Sequence, residues 1–343
     1  MGSIDEKLNS WDEIKSQFDE ESGILIGNGF SCAVWEKFQY PSLYEKASSS
    51  TDIEHSLSRE DVQLFKVMST NNFERILSML SNTSKVNKIF SQEYMLFDQR
   101  HEHIKTALGE AIKCIHVPWE KVNLSNILPT IRQELKKYRF IYSTNYDLLI
   151  YWAIMSDEHH IDDFKDFFWN SVASTNSGRF DITNTNIHSN STRVLYLHGA
   201  LHLYRDPQLE RTYKLKNNGY QNLLEMIDVP LFITEGSSED KLRAINSSDY
   251  LFFAYNKLLN HDGSLVIFGH SLSDTDEHLV KAIRKSNPMN IAISIRSNNS
   301  PDTIRQKKAN LYKRLCDEQK ERPNLLFFDA QTHPLGSPDI KIE

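Results

Sequence analysis

Cysteine is scarce in this chain. Its 343 residues include Cys32, Cys114 and Cys316. They lie far apart and form no Cys-x-x-Cys pair, which excludes a cysteine zinc ribbon. An odd, sparse count fits a reducing compartment, so a cytoplasmic protein is expected. Long apolar runs are also missing, and none approaches the about 20 residues that span a bilayer. The opening Met1-Gly2-Ser3-Ile4-Asp5-Glu6 lacks the basic and apolar regions of a signal peptide. Glu6 stands where N-myristoylation needs Ser or Thr. Basic charge is not in excess: the net charge is −7, which argues against broad nucleic-acid or anionic-membrane binding, and neither partner is expected. No internal repeat is found.

What is present is a series of short apolar runs that end in polar residues. Gly23-Ile24-Leu25-Ile26 runs into Gly27-Asn28-Gly29-Phe30-Ser31. This pattern of strand, glycine turn and helix start builds a phosphate shelf, because glycine lets backbone approach closely and a helix start favours negative charge. Further strands are expected at 139–143, 194–197, 230–234, 264–268, 291–295 and 325–328. Helix-like stretches at 240–245, 250–259 and 302–316 separate most of the later ones. Apolar strands spaced by helices predict an α/β fold: a Rossmann-like parallel sheet covered by helices. A short helix over 11–18 precedes it.

From about Tyr40 to Lys136 the period becomes helical. Phe73, Ile76, Leu77 and Leu80 mark one helix face, and Ile104, Leu108, Ile112 and Ile115 another. The expected organisation is an α/β domain over 1–39 and 137–343, with a large helical insertion over 40–136 after the first strand. Ser171–Thr192, rich in Ser, Thr and Asn, reads as a surface loop or flap. The dense charge of Arg305–Arg322 reads as a solvated helix face.

Parallel sheets bind ligands at the carboxyl ends of their strands, and four motifs fall there. Gly27 to Ser31 is the first. It lacks the third glycine and acidic partner of the dinucleotide fingerprint, so ordinary hydride transfer fits poorly. It also lacks the Gly-Lys-Ser/Thr of a P-loop, and no Gly-x-Ser-x-Gly elbow occurs elsewhere. Thr144-Asn145-Tyr146-Asp147 is the second. Asp147 suits a helix cap, whereas the Asn145 carboxamide can hold ribose hydroxyls or a water as donor and acceptor. In the third, Leu197-His198-Gly199, His198 is placed to act as a base near neutral pH. His202, in Leu201-His202-Leu203, reads as alternation along an extended segment. The fourth is Gly269-His270-Ser271, where Gly269 and Ser271 are candidates to contact a nucleotide ribose or phosphate. Just beyond it, Ser273 and Asp276 have capping-box spacing. Asp274, Asp276 and His278, like His101-Glu102-His103, hint at a metal, but residues two apart on a helix face different ways. No metal site is expected.

In this order, the four motifs resemble the sirtuin-like family, and most of all its bacterial branch whose members hydrolyse NAD in antiphage defence. The resemblance spans about Gly23 to Ile295 and leaves the helical insertion out. It implies a Rossmann-like NAD-binding domain that splits NAD+ into nicotinamide and ADP-ribose. NAD+ is then substrate, with no zinc or other cofactor. By position, Asn145 orients the nicotinamide ribose and a water, and His198 is the base. Gly27, Asn28, Gly29, Phe30 and Ser31 form the pyrophosphate turn. Thr144, Asp147, Gly269, His270 and Ser271 line the ribose pocket. The missing zinc module, and Asn28-Gly29-Phe30 in place of the deacetylases' Ala-Gly-Ile, argue against acyl-lysine chemistry. The resemblance also implies a homo-oligomer or a defence partner such as an ATPase. Two alternatives remain at this stage: a non-catalytic NAD or ADP-ribose sensor, and an ADP-ribosyltransferase.

Overall fold

The apolar runs form the spine of the protein. In a computed structural model describing residues 5–49, 56–90, 94–157, 162–170, 177–186, 190–206, 210–215, 230–233, 237–316 and 323–343, seven strands build one parallel sheet. They are β1 (Gly23–Ile26), β2 (Phe140–Ser143), β3 (Phe164–Lys165), β6 (Thr192–Tyr196), β10 (Leu265–Phe268), β11 (Asn290–Ile295) and β12 (Asn324–Asp329). Their order is β12-β11-β10-β1-β2-β6-β3. The chain steps outward from β1 through β2 to β6, then returns to the other flank of β1 and steps outward through β10, β11 and β12. Strand order therefore reverses beside β1, the place where open α/β sheets take their ligands. All four residues of β1 and of β10 are buried, as a sheet covered on both faces requires.

Register aligns the strand ends. Ile26 pairs with Phe268 on one side and Ser143 on the other, and Ser143 pairs with Tyr196. The next residues, Gly27, Gly269, Thr144 and Leu197, thus leave the sheet at one level.

Thirteen α-helices are described: α1 (Trp11–Ile14), α2 (Asn28–Val34), α3 (Tyr40–Ser49), α4 (Arg59–Val67), α5 (Phe73–Phe90), α6 (Tyr94–Ile115), α7 (Trp119–Ser125), α8 (Ile127–Leu135), α9 (Leu149–Met155), α10 (Ser238–Asn246), α11 (Asp249–Leu259), α12 (Glu277–Ser286) and α13 (Pro301–Cys316). The described residues from 40 to 135 hold six of them and no strand. The two apolar faces read from the sequence are buried along α5 and α6, and their residues join a hydrophobic cluster that continues through the strands.

A second sheet departs from the expected single parallel one. β4 (Phe168–Asn170), β5 (Ser177–Phe180), β7 (Gly199–Asp206), β8 (Arg211–Leu215) and β9 (Pro230–Phe232) form an antiparallel sheet in the order β4-β5-β8-β7-β9. The 230–234 run, expected in the parallel sheet, is β9 of this one; a three-residue apolar run does not encode the direction of its neighbour. Ser177–Phe180, expected in a loop, is β5 of the same sheet. Residues 171–176, 187–189, 234 and 317–322 of the sequence expectations lie outside the described residues. His202 sits in β7, as its alternation suggested. No helix among the described residues is long and apolar enough to cross a membrane.

Candidate active site

The first and fourth motifs are stitched together by backbone. Gly27 N–H donates to the Phe268 carbonyl at 2.9 Å, and Gly29 N–H donates to the Gly269 carbonyl at 2.8 Å. Gly269 N–H in turn donates to Ser294 Oγ at 2.9 Å. A Cβ on Gly29 would lie 2.6 Å from the Gly269 Cα, and one on Gly27 would lie 2.7 Å from the His270 Cα. Glycine is needed because two backbones cross here. The N–H groups of Gly27 and Gly29 are thus committed to the Phe268 and Gly269 carbonyls. Gly27, Phe30 and Ser31 are also buried behind the wall rather than on it, while Asn28 and Gly29 do face the cavity.

The second motif hangs on Ser31. Ser31 Oγ donates to Asp147 Oδ2 at 2.5 Å and accepts from Asn145 Nδ2 at 2.7 Å. Asp147 Oδ1 accepts from Leu149 N–H at 2.9 Å, which caps α9 as expected. Since the serine hydroxyl gives its hydrogen to a carboxylate, its partner on Asn145 must be the amide nitrogen. Asn145 Oδ1 is then left buried, with no hydrogen-bond partner. Of the donor and acceptor expected of Asn145, the acceptor Oδ1 is free, and one of the two Nδ2 hydrogens is committed to Ser31. Thr144 Oγ1 donates to the Ile26 carbonyl at 3.3 Å.

The third motif meets residues that sequence reasoning did not bring to it. His198 is 3% exposed, and its Nε2 lies 3.0 Å from His278 Nε2. Burial pushes His198 well below the usual histidine range; Lys241 and His278 add to this, and Asp276 opposes it. Burial likewise pushes His278 down to about 3. Lys241, buried on α10, donates from Nζ to Asp276 Oδ1 at 2.9 Å. Burial raises the Asp276 carboxyl, but Lys241, His270 and His198 outweigh it and hold the group below the carboxylate range. Ser273 Oγ donates to Asp276 Oδ2 at 2.8 Å rather than accepting from the Asp276 amide, so the expected capping box is not made.

His198, Asp276 and His278 bring ligand-type atoms within 4.8 Å of one another. Both Asp276 oxygens are engaged by Lys241 and Ser273, so hydrogen bonds account for the cluster, and a second cation would face the Lys241 ammonium.

Gly199 fixes the position of His198. Its φ is +80°, and a Cβ there would fall 1.9 Å from the Leu231 carbonyl oxygen in β9. The His198 carbonyl accepts from Ile233 N–H at 2.9 Å across the same junction. Gly199→Ala is expected to lower stability by about 3 kcal/mol, combining left-handed strain with a backbone clash. Urea unfolding measures this, and a loss below about 1 kcal/mol would contradict the tight junction.

Two cavities open side by side along the strand ends. One, of about 490 Å³, is lined by Thr144, Asn145, Asp147, His198, His270 and Ser271 among others. The other, of about 880 Å³, runs past β10, β11 and β12. Both volumes fall in the range of small-molecule sites, about 300–1,000 Å³. Gly29, Cys32, Gly269 and Arg296 line both. Arg296, just beyond β11, is exposed and forms no ion pair with a described residue. Burial pushes the Cys32 thiol up to about 11, which makes it a poor nucleophile.

The structure thus brings all four motifs to one cavity. His278, Lys241 and Arg296 were missed as parts of the site. Lys241 and Arg296 carried no motif, and His278 lies within a helical stretch that the metal argument set aside.

No curated protein matches the chain. Among solved structures, one described as "Structural Basis for the Mechanism and Regulation of Sir2 Enzymes" is similar at 13% identity and a TM-score of 0.33, covering 96% of each chain. Another, "The Structural basis for Sirtuin Substrate affinity", has 12% identity and a TM-score of 0.30, covering 89% of this chain and 97% of that one. These overlays are loose, and the fold rests on the strand order itself. The model of a domain of unknown function, DUF4917, matches residues 24–335, and the chain belongs to that family.

Proposed function

We propose that the protein hydrolyses NAD+ at the nicotinamide–ribose bond, releasing nicotinamide and ADP-ribose. The observation that carries this reading is Asn145 Oδ1, a buried acceptor without a partner in a cavity that His198 also lines. A buried acceptor left bare is costly and is normally satisfied. A ribose hydroxyl or a positioned water supplies the missing hydrogen.

The nicotinamide ring leaves neutral from a cationic glycosyl centre, so strong acid assistance is unnecessary. The transition state is oxocarbenium-like, as in glycoside hydrolysis. The site must hold the sugar, limit water to one molecule and remove one proton. Asn145 holds, and His198 removes the proton. The smaller cavity takes the nicotinamide ribose and the larger one the adenosine. Arg296, on the wall common to both, supplies the positive charge for the diphosphate, which the spent N–H groups of Gly27 and Gly29 do not. The resemblance to antiphage NAD hydrolases extends the reading to NAD depletion by an oligomer or with a partner such as an ATPase.

Purified protein incubated with NAD+ should release nicotinamide. His198→Ala and Asn145→Ala are each expected to lower the rate by about 10²–10⁴-fold. Activity surviving in both variants would remove the assigned roles. Tight ADP-ribose binding without turnover, with candidate activators present, would make the protein a sensor. Label passing from NAD+ to a macromolecule would make it a transferase.

A further inference from the structure

Two imidazoles face each other where hydrolysis needs one base. His198 Nε2 and His278 Nε2 are 3.0 Å apart and both residues are buried. At that distance one nitrogen carries a hydrogen and the other offers a lone pair. Ser238 serves the far nitrogen of His278 and can support either choice. Its Oγ accepts the His278 backbone N–H at 2.6 Å and lies 3.3 Å from His278 Nδ1. A hydroxyl that accepts from an amide still has its own hydrogen to give, and in one arrangement it gives it to Nδ1. Neutral His278 then carries its hydrogen on Nε2 and donates it to His198. Neutral His198 carries its own on Nδ1, on the side of the ring away from His278, where no hydrogen bond to a described residue is made.

Turning the Ser238 hydroxyl allows the opposite arrangement. His278 donates from Nδ1 to Ser238 Oγ, His198 donates from Nε2 to His278 Nε2, and His198 Nδ1 is bare. A proton taken up at Nδ1 then releases the Nε2 hydrogen to His278. One N–H bond forms at His198 Nδ1, one breaks at His198 Nε2, and one forms at His278 Nε2. The positive charge ends on His278.

We propose that His198 and His278 form one proton-accepting unit, in which His278 is the positioning residue that sets the tautomer of His198 and holds the proton it removes. This rests on the hydrolase reading for its substrate, but its geometry stands without it. The charged and titratable groups facing the pair are Asp276, which favours the added proton, and Lys241 and His270, which oppose it. A lone buried imidazolium would be poorly tolerated here; the transient charge is shared by two rings and favoured, against burial, by the Asp276 carboxylate.

The test is His278→Gln, which keeps a hydrogen-bonding group but takes up no proton. The expected result is a kcat about a hundredfold lower, with the KM for NAD+ and the Kd for ADP-ribose within about twofold of wild type. A wild-type kcat, or a loss confined to KM, would overturn the proposal. Ring-¹⁵N spectra of the wild-type protein at neutral pH provide a second reading that needs neither turnover nor a folded variant. One of the two facing nitrogens should be protonated and the other bare. Both protonated, or both bare as a bound cation would impose, would overturn it. If the wild type releases no nicotinamide while the tautomers are opposed, the hydrolase reading falls and the pair stands.

Discussion

Lys241→Met is expected to lower the stability of the protein by about 4 kcal/mol, within the roughly 3–5 kcal/mol range for removing one partner of a buried ion pair. Lys241 is fully buried, and Asp276 is 6% exposed. The ammonium lies 2.9 Å from one carboxylate oxygen, and the Ser273 hydroxyl serves the other. Methionine fills the space of the stem but leaves a carboxylate in a poorly solvated site, with one hydroxyl to hold it. The loss therefore belongs to the stranded charge more than to the pair. Lys241→Met combined with Asp276→Asn should recover at least half of it, because no charge is then left unpaired. Urea unfolding of the two single variants and the double variant measures the cycle. Additive losses would mean that the two groups do not depend on each other. A single-variant loss under about 1 kcal/mol would mean that water reaches Asp276.

Stability should also fall steeply on mild acidification. Burial pushes His278 and His333 down to about 3, from about 6.5 in an open chain. Below pH 6.5 the unfolded chain binds protons that the folded chain refuses. Their contribution is thus complete above that pH and is lost progressively as the pH drops toward 3. Between pH 7 and pH 5 the two together remove about 4 kcal/mol, approaching about 1.4 kcal/mol per group per pH unit. His198 and His202, held low chiefly by burial, add in the same direction. Denaturant midpoints at a few pH values across this window provide the test. A flat profile would show that the rings are solvated or already paired with acids.

Six strands of the parallel sheet were legible because they read as apolar runs; the seventh, β3, is two residues long and carries no such run. The level strand ends followed, and with them the meeting of residues 27–31, 144–147, 198 and 269–271. The second sheet was hidden for a physical reason. Arg211–Leu215 and Ser177–Phe180 have no apolar run, and each is made a strand by antiparallel pairing with β7 or β4 and with the other. Pro230–Phe232 was seen as a strand, but its partner was not. Within the site, residue types did not reveal hydrogen-bond commitments. Gly27 and Gly29 read as donors to a phosphate because nothing in their spacing shows that the Phe268 and Gly269 carbonyls take those hydrogens. Lys241 looked like any helical lysine, and only packing beneath α12 makes it a buried partner.

The crossing of Gly29 over Gly269 has a consequence for biogenesis. During synthesis the floor of the groove has one half some 240 residues before it has the other. Until Phe268 emerges, β1 has β2 on one side and an open edge on the other. An apolar strand with an open edge invites pairing with foreign chains. Nascent chains halted shortly before residue 265 should therefore be the most aggregation-prone of a truncation series. Release of the next few residues ends that exposure and completes the groove in the same step.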